Sequence, residues 1–292
     1  MRDYVILTDS TTDLSPELIA ELELEVIPME FSMGDKTYLN YPDGRDIGFK
    51  EFYDQVRAGA LPRTAQITMA TYMDRAEPIL QQGKDLLILA FSSALSGTYQ
   101  SAQLAVEELR PKYPDAKIIA VDSRAASMGE GLLAFHAAKR RAAGMPIEEL
   151  AKWLEDNRDH LCHWFTVDDL NHLKRGGRVS SAAALFGTLL GIKPVLHVDD
   201  EGRLIPVSKV RGRRQSLDAM AAKLEETFDR SEPQTVFISH GDAAEDAAYL
   251  AEQIKKRMGK LVGEVVIHYI GPVIGAHSGP GTVALFFLGS HK

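Results

Sequence analysis

The chain has 292 residues, 45% of them hydrophobic, with 33 Lys and Arg against 41 Asp and Glu for a formal net charge of −8. That length supports one large core or two modest domains, and the acidic balance argues against a general nucleic-acid binder. The single cysteine, Cys162, excludes an internal disulfide and a Cys-rich zinc site. No apolar run approaches the ~20 residues of a membrane span, and the short run stopped by Asp9 is no signal peptide, so a cytoplasmic protein is expected.

In chain order, Tyr4 to Thr8 reads as a buried strand followed by the polar turn Asp9-Ser10-Thr11-Thr12-Asp13. Ser15-Pro16-Glu17 supplies an N-cap, a first-turn proline and an early acid for a helix through Leu24. Val26–Met33 and Lys36–Leu39 read as extended segments around Gly34-Asp35, and Asp46 as the cap of a helix carrying Phe49, Phe52, Tyr53 and Val56. A small-polar loop, residues 61–68, precedes a helix over Met69–Gln82 in which Pro78 predicts a break or kink. Leu86–Ala90 is a second buried strand. Lys117–Val121 is a third, ending in Asp122-Ser123 much as the first ends in Asp9-Ser10. Strand, polar turn and helix thus recur three times in about 130 residues, the pattern of a parallel α/β sheet. Helices over 127–143 and 147–158 close this half.

From Cys162 the rhythm changes. A strand over Cys162–Val167 and a short helix opened by Asp168-Asp169 lead to the basic, glycine-hinged loop 174–178. Ile192–Val198 and Arg203–Val210 flank a hairpin turn, with Pro206 marking an edge strand. An amphipathic helix through Leu217 and Phe228, a strand at Val236–Ser239, a helix through Ala247 and Ile254, and strands at Val265–Ile270 and Val283–Leu288 complete it. The fold class is therefore α/β with two domains: a parallel-sheet domain over 1–160, then a domain with a mixed or antiparallel sheet over 161–292.

Two stretches carry chemistry. Phe91-Ser92-Ser93-Ala94-Leu95-Ser96-Gly97-Thr98-Tyr99 places four hydroxyls and a glycine between a strand end and a helix start. Ligands bind there in open parallel sheets, and free N–H groups favour an anion; a simple capped turn is the competing reading. Residues 271–282 form a glycine-rich loop around His277, beside which Ser278 supplies a further donor. A serine-dependent acyl-ester hydrolase using Ser93 and His277, with Asp122 or Asp242 orienting the histidine, is the alternative function, but Gly-x-Ser-x-Gly is absent. Neither a Walker-type loop nor Gly-x-Gly-x-x-Gly occurs. His160 and His163 find no companions for a metal site and read as packing or surface residues. Arg203, Lys209, Arg211, Arg213 and Arg214 form a basic run, either a solvated face or a partner-docking patch.

Taken together, these motifs resemble the DegV family, the fatty-acid-binding subunits that partner a bacterial fatty acid kinase. The resemblance spans essentially the whole chain. It rests on Ile6-Leu7-Thr8-Asp9-Ser10, the Thr64 loop, Ser92 through Tyr99, Val121-Asp122-Ser123, Leu173 through Arg178, Gly191-Ile192-Lys193-Pro194 and Gly271 through Thr282. The resemblance implies a lipid-binding protein without catalytic residues, cofactor or metal. One long-chain fatty acid would lie between the domains, its carboxylate near Thr64, Ser93 and His277 with Arg178 close by, and Ser92 and Ser278 as further donors. Phe91, Ile274, Leu185, Phe186 and Leu189 are candidates for lining the acyl chain. The kinase catalytic subunit would phosphorylate the carboxylate to an acyl phosphate, docking on the basic run. No nucleic acid and no stable membrane insertion are implied, only transient membrane contact for lipid exchange. Around Thr64 this chain departs from the family's usual Thr-Ser-Gln-Pro-Ser: Ala65 removes a hydroxyl and Ile67 a proline.

Overall fold

The computed structural model describes residues 2–180 and 191–292; Leu185, Phe186 and Leu189 lie outside the described residues. Strand β1 (Tyr4–Asp9) passes through a short 3-10 turn into helix α1 (Pro16–Glu21), where the Ser15 hydroxyl accepts the Leu18 N–H at 3.3 Å. The helix stops three residues short of Leu24, because the chain must turn into β2 (Glu25–Ile27). Next come β3 (Met29–Met33), β4 (Lys36–Asn40), helix α2 (Phe49–Arg57) and the short β5 (Arg63–Thr64). Strands β4, β3 and β5 form a small antiparallel sheet in that order. Asp46 does not cap α2. Gly48 holds that position, while the Asp46 carboxylate accepts the Leu39 N–H at 2.8 Å and ties down β4 instead.

Helix α3 (Met69–Gln81) begins at Thr68, whose hydroxyl accepts the Thr71 N–H, and runs through Pro78 without ending. Pro78 lacks the N–H that would serve the carbonyl of Asp74, but Asp74 is exposed, so the loss does not leave a backbone acceptor sealed in the core. Strand β6 (Asp85–Ala90), helix α4 (Thr98–Leu109), β7 (Ile118–Asp122), α5 (Met128–Ala142) and α6 (Ile147–Asn157) follow. The first sheet has the order β2-β1-β6-β7, all parallel. Every residue of β6 is buried, as expected for a strand covered on both faces. The chain passes from β1 to β2 on one side and returns through α3 to β6 on the other side of β1, so the carboxyl ends of β1 and β6 flank a topological switch, where open α/β sheets bind ligands.

The second sheet is built from β8 (Leu161–Thr166), β9 (Ile192–Val198), β10 (Leu204–Arg211), β11 (Gln234–His240), β12 (Val262–Tyr269) and β13 (Val283–Leu288). Its order is β10-β9-β8-β13-β11-β12, with only β11 and β12 parallel: a mixed sheet. Strand β10 lies at the edge, and its register shifts between Pro206 and Ser208, consistent with a proline that cannot donate to a ladder. Helices α7 (Asn171–Arg175), α8 (Arg213–Thr227), α9 (Ala244–Met258) and α10 (Pro272–Ser278) complete the described chain. Sequence reading took 271–282 as a loop; the chain instead makes a short helix there. Gly271 is its N-cap, Pro272 occupies the first turn where a missing N–H costs nothing, and Gly279 ends it at φ 79°.

Helix α5 lies between the two sheets. One continuous apolar cluster joins its Leu132, Leu133 and Phe135 to Ile6 and Leu87 of the first sheet and to Phe165, Leu196, Phe237 and Phe286 of the second. The outer face of the first sheet carries a second cluster around Phe52, Tyr53 and Tyr72, and the back of the second sheet a third around Leu217, Leu224 and Leu250. Among the described residues no helix is long and apolar enough to cross a membrane.

Candidate functional site

A cavity of about 220 Å³ opens between the two sheets, beyond the carboxyl ends of the parallel strands. The first sheet contributes Phe91, Leu95 and Ser96 from the segment after β6 and Ala126 and Ser127 from the segment before α5. The second contributes alternate residues of its strands: His163 and Phe165 on β8, Ala284 and Phe286 on β13, Val198 on β9 and Leu204 on β10. Period-two alternation puts each of these pairs on one face. Met29, Leu173, Ile270, Val273 and Ile274 add further apolar wall. Of the residues expected to line an acyl chain, Phe91 and Ile274 are in place.

One end of the cavity is polar. Thr64, Gln66, Ser96, Arg178, His277 and Ser278 meet there, and Gln66 and its neighbour Ala65 are exposed, so this end is the mouth. The Thr64 hydroxyl and His277 Nε2 are 2.9 Å apart. Helix α10 brings His277 this close because small residues let it: a Cβ at Gly176 would sit 2.2 Å from His277 Nδ1, and one at Gly275 would sit 2.6 Å from the Tyr53 hydroxyl. Burial, reinforced by the Arg178 charge, pushes the His277 pKa down to about 4, so the imidazole is neutral at neutral pH. Ser278 is buried and its hydroxyl has no hydrogen-bond partner. Arg178 donates from Nε and Nη2 to the Leu95 carbonyl, at 3.2 and 2.9 Å, and from Nη1 to the Gly176 carbonyl. Burial lowers its pKa from the ordinary value, yet a guanidinium stays charged. Among the described residues no carboxylate pairs with it.

Just beneath the mouth lies a cluster of opposite character. Asp9, Asp13 and Glu130 are all buried and are bonded by neutral groups rather than by cations. The Thr11 hydroxyl lies between Glu130, at 2.9 Å, and Asp9, so its one proton serves one of the two carboxyls; Glu130 also accepts from the Thr8 hydroxyl at 3.3 Å, and Asp9 accepts the Thr11 N–H at 2.8 Å. One Asp13 oxygen accepts the Gly271 N–H at 2.9 Å and the other lies 2.6 Å from the Ser127 hydroxyl, which is in turn 2.8 Å from the Ser239 hydroxyl. Burial raises all three carboxyl pKa values, that of Asp13 to about 8, so Asp13 is mostly protonated at neutral pH. Ser127 sits at φ 55° and ψ −148°, backbone territory that only glycine enters cheaply. The Asp13 and Ser239 bonds hold it there, on the cavity wall. Asp13 therefore anchors the first turn of the helix that ends in His277 and Ser278.

Other expected residues lie elsewhere. Ser92 and Ser93 do not line the cavity: the Ser92 hydroxyl donates to the Gly202 carbonyl at 3.1 Å, and Ser93 donates its N–H and hydroxyl to Asp122 at 3.1 and 2.5 Å. The third serine of that stretch, Ser96, faces the cavity instead, held by the Thr98 N–H at 3.2 Å. The hydrolase constellation is not assembled either, since the His277 ring bonds Thr64, Asp122 holds Ser93, and Asp242 pairs with Arg57 and Tyr269. In the basic run, Arg203, Lys209, Arg211 and Arg214 are exposed, with Arg203 against Glu201 and Arg214 stacked 3.9 Å over the Tyr249 ring. Arg213 turns inward to Asp246 at 2.8 Å and the Gly281 carbonyl at 2.5 Å, where it braces the loop after α10 rather than facing solvent. His163, read as packing or surface, is a buried cavity residue; its inward place follows from its spacing of two from Phe165. Ser96 lies in the singled-out hydroxyl stretch but not among its head-group candidates, Gln66 lies in the Thr64 loop, and Ser127 reads in the sequence only as the start of a helix. Among the described residues no group of His, Cys, Asp and Glu could hold a metal ion.

The sequence profile described as "Uncharacterised protein, DegV family" matches residues 3–290. A DegV domain-containing protein of Clostridium perfringens is 44% identical over 292 residues, covering 100% of this chain and 99% of the relative. A DegV family protein from Thermus thermophilus, described for its fatty acid binding, superimposes with a TM-score of 0.87 at 30% identity, covering 99% of this chain and 100% of the other. DegV of Bacillus subtilis, described as a fatty acid binding protein, does so with a TM-score of 0.84 at 29% identity over 99% and 100% of the two chains.

Proposed function

The chain belongs to the DegV family, and from the geometry of its cavity we propose that it binds one long-chain fatty acid, acyl chain inward and carboxylate at the mouth. The observation that carries this reading is the coincidence, at one end of an apolar-walled cavity, of a half-buried Arg178 charge with no acid beside it and a buried Ser278 hydroxyl with no partner. A saturated chain of ~15 methylenes at ~0.8 kcal/mol each brings at most about 12 kcal/mol of transfer free energy. Desolvating the carboxylate costs several kcal/mol unless donors replace its water. Ser278, Ser96 and one donor of the Thr64–His277 pair can replace that water, and Arg178 supplies the charge. The fatty-acid binding of the two solved relatives supports the same ligand class.

A carboxylate held at an exposed mouth by hydroxyls remains open to a second protein. In this reading a partner fatty acid kinase brings ATP, a carboxylate oxygen attacks the γ-phosphorus, ADP leaves, and the acyl phosphate stays in the cavity. The docking face is the edge strand β10 with Arg203, Lys209, Arg211 and the nearby Arg214, whose Leu204 already lines the cavity. Native mass spectrometry of protein purified from a bacterial host tests the ligand: one co-purifying fatty acid is expected, exchangeable for added oleate. Protein that carries no lipid and refuses oleate overturns the reading.

A further inference from the structure

The deep wall of the cavity holds one polar side chain that no role described above uses. His163 is 2% exposed, lines the cavity, and among the described residues neither ring nitrogen has a hydrogen-bond partner. The Leu161 carbonyl weakly favours a proton on the ring without reaching bonding geometry, and burial keeps the imidazole neutral. A neutral imidazole carries one N–H donor and one lone-pair acceptor. Buried polar groups are almost always satisfied, so an orphaned pair in a cavity wall asks for a ligand that supplies the partner.

The position of His163 says which part of the ligand that is. His163 pairs with Phe286 across β8 and β13, and Phe165 with Ala284. Thr282, just before β13, and Ala284 and Phe286 on it face the cavity in succession, and Thr282 is tied to the Ser278 carbonyl at 3.0 Å, at the head-group end. Four strand residues from Thr282 to Phe286 span roughly 13 Å. His163 therefore lies well along the acyl chain, surrounded by Phe286, Phe165, Val198 and Leu204. Gly129 makes room for it: a Cβ there would fall 2.5 Å from Nε2, and the Phe286 ring packs edge-on at 5.6 Å. An apolar side chain would fill this place at no polar cost.

We propose that His163 is a specificity residue for acyl chains bearing a mid-chain hydroxyl, so that the ligand class includes monohydroxy long-chain fatty acids. A hydroxyl matches a neutral imidazole in either tautomer, donating to the bare nitrogen or accepting from the N–H. The inference rests on the fatty-acid reading of the cavity.

The test compares delipidated wild-type protein and His163→Leu by calorimetric titration with stearate, a positional series of monohydroxystearates and the matching oxostearates. Tight stearate binding establishes the cavity's ligand independently of His163; its absence sinks the fatty-acid reading and this inference with it. Given that binding, one mid-chain hydroxy isomer is expected to bind wild type about tenfold better, relative to stearate, than it binds His163→Leu. Stearate that outcompetes every hydroxy isomer on wild type overturns the inference, even if the variant fails to fold. So does a hydroxy-to-stearate ratio unchanged by His163→Leu. An oxo isomer preferred over its hydroxy counterpart also overturns it, because it would assign the site to a pure acceptor.

Discussion

Two polar regions meet at helix α10, and they are built in opposite ways. At its C-terminal end the cavity mouth has a cation, Arg178, and a neutral His277 with no acid nearby. At its N-terminal end Asp9, Asp13 and Glu130 crowd together with hydroxyls and no cation. Burial without a counter-charge raises the pKa of all three carboxyls, and at Asp13, raised to about 8, it favours the protonated, hydrogen-bonding form at neutral pH. A guanidinium that lacks an acid keeps its charge and is complementary to an anionic ligand. In the proposed reading the carboxylate that completes the mouth comes from the ligand, while Asp13 braces the helix that carries His277 and Ser278.

The comparison can be broken most forcefully at Asp13. With its pKa raised to about 8, Asp13 holds a proton in the folded state that the unfolded chain releases above the ordinary carboxyl value. Its contribution is fully present below about pH 4 and is lost as pH rises toward 8, on the order of a few kcal/mol. Asp13→Asn keeps the carbonyl that accepts the Gly271 N–H, presents an amide N–H to Ser127 as the protonated carboxyl does, and removes the titration. Urea unfolding of the variant should therefore show a flatter decline from pH 4 to 8 than wild type; parallel curves would mean Asp13 is ionised.

The mouth should behave in the opposite sense. Arg178→Met is expected to weaken oleate binding about 10- to 100-fold, since bonds to charged groups contribute ~1.5–3 kcal/mol. The affinity for oleyl alcohol should hardly change, and equal losses for both ligands would remove the charge argument. His277, with its pKa lowered to about 4, is neutral when folded and protonates when unfolded below about pH 6.5. It withdraws stability as pH falls from there toward 4, so replacing it with Gln should flatten the acid limb of the same unfolding series. Smaller still, Ser278→Ala should cost oleate binding about fivefold, and Ser93→Ala less than about twofold. The reverse order would return the head group to the β6–α4 turn. Smallest for the lipid is charge reversal at Arg203 and Arg211, which should leave oleate affinity unchanged while lowering acyl phosphate formation with a partner kinase.

The layered architecture was legible because its signals are local and redundant. Buried strands read as apolar runs, and Ser15-Pro16 marks α1 as plainly as Pro206 marks an edge. Helix α10 was hidden because four glycines in twelve residues outweigh the proline-first, glycine-last pattern that frames it. Thr64, Arg178, His277 and Ser278 were legible from motif context and do converge. The choice among Ser92, Ser93 and Ser96 was not. All three sit in one turn, and which faces the cavity depends on Asp122 and Gly202, far away in the chain, claiming the first two. Arg213 likewise looked like its exposed neighbours until Asp246 and Gly281 claimed it. His163 was legible only as half of an alternating pair whose inward face the sheet register defines.

The most direct test of the account follows the ligand's own carboxyl. Palmitate labelled with carbon-13 at the carboxyl, bound to delipidated protein, should give a single resonance that stays in the ionised range to lower pH than free palmitate. Arg178→Met should shift that titration upward. A bound carboxyl that titrates identically in wild type and Arg178→Met would contradict the placement of the head group at the mouth.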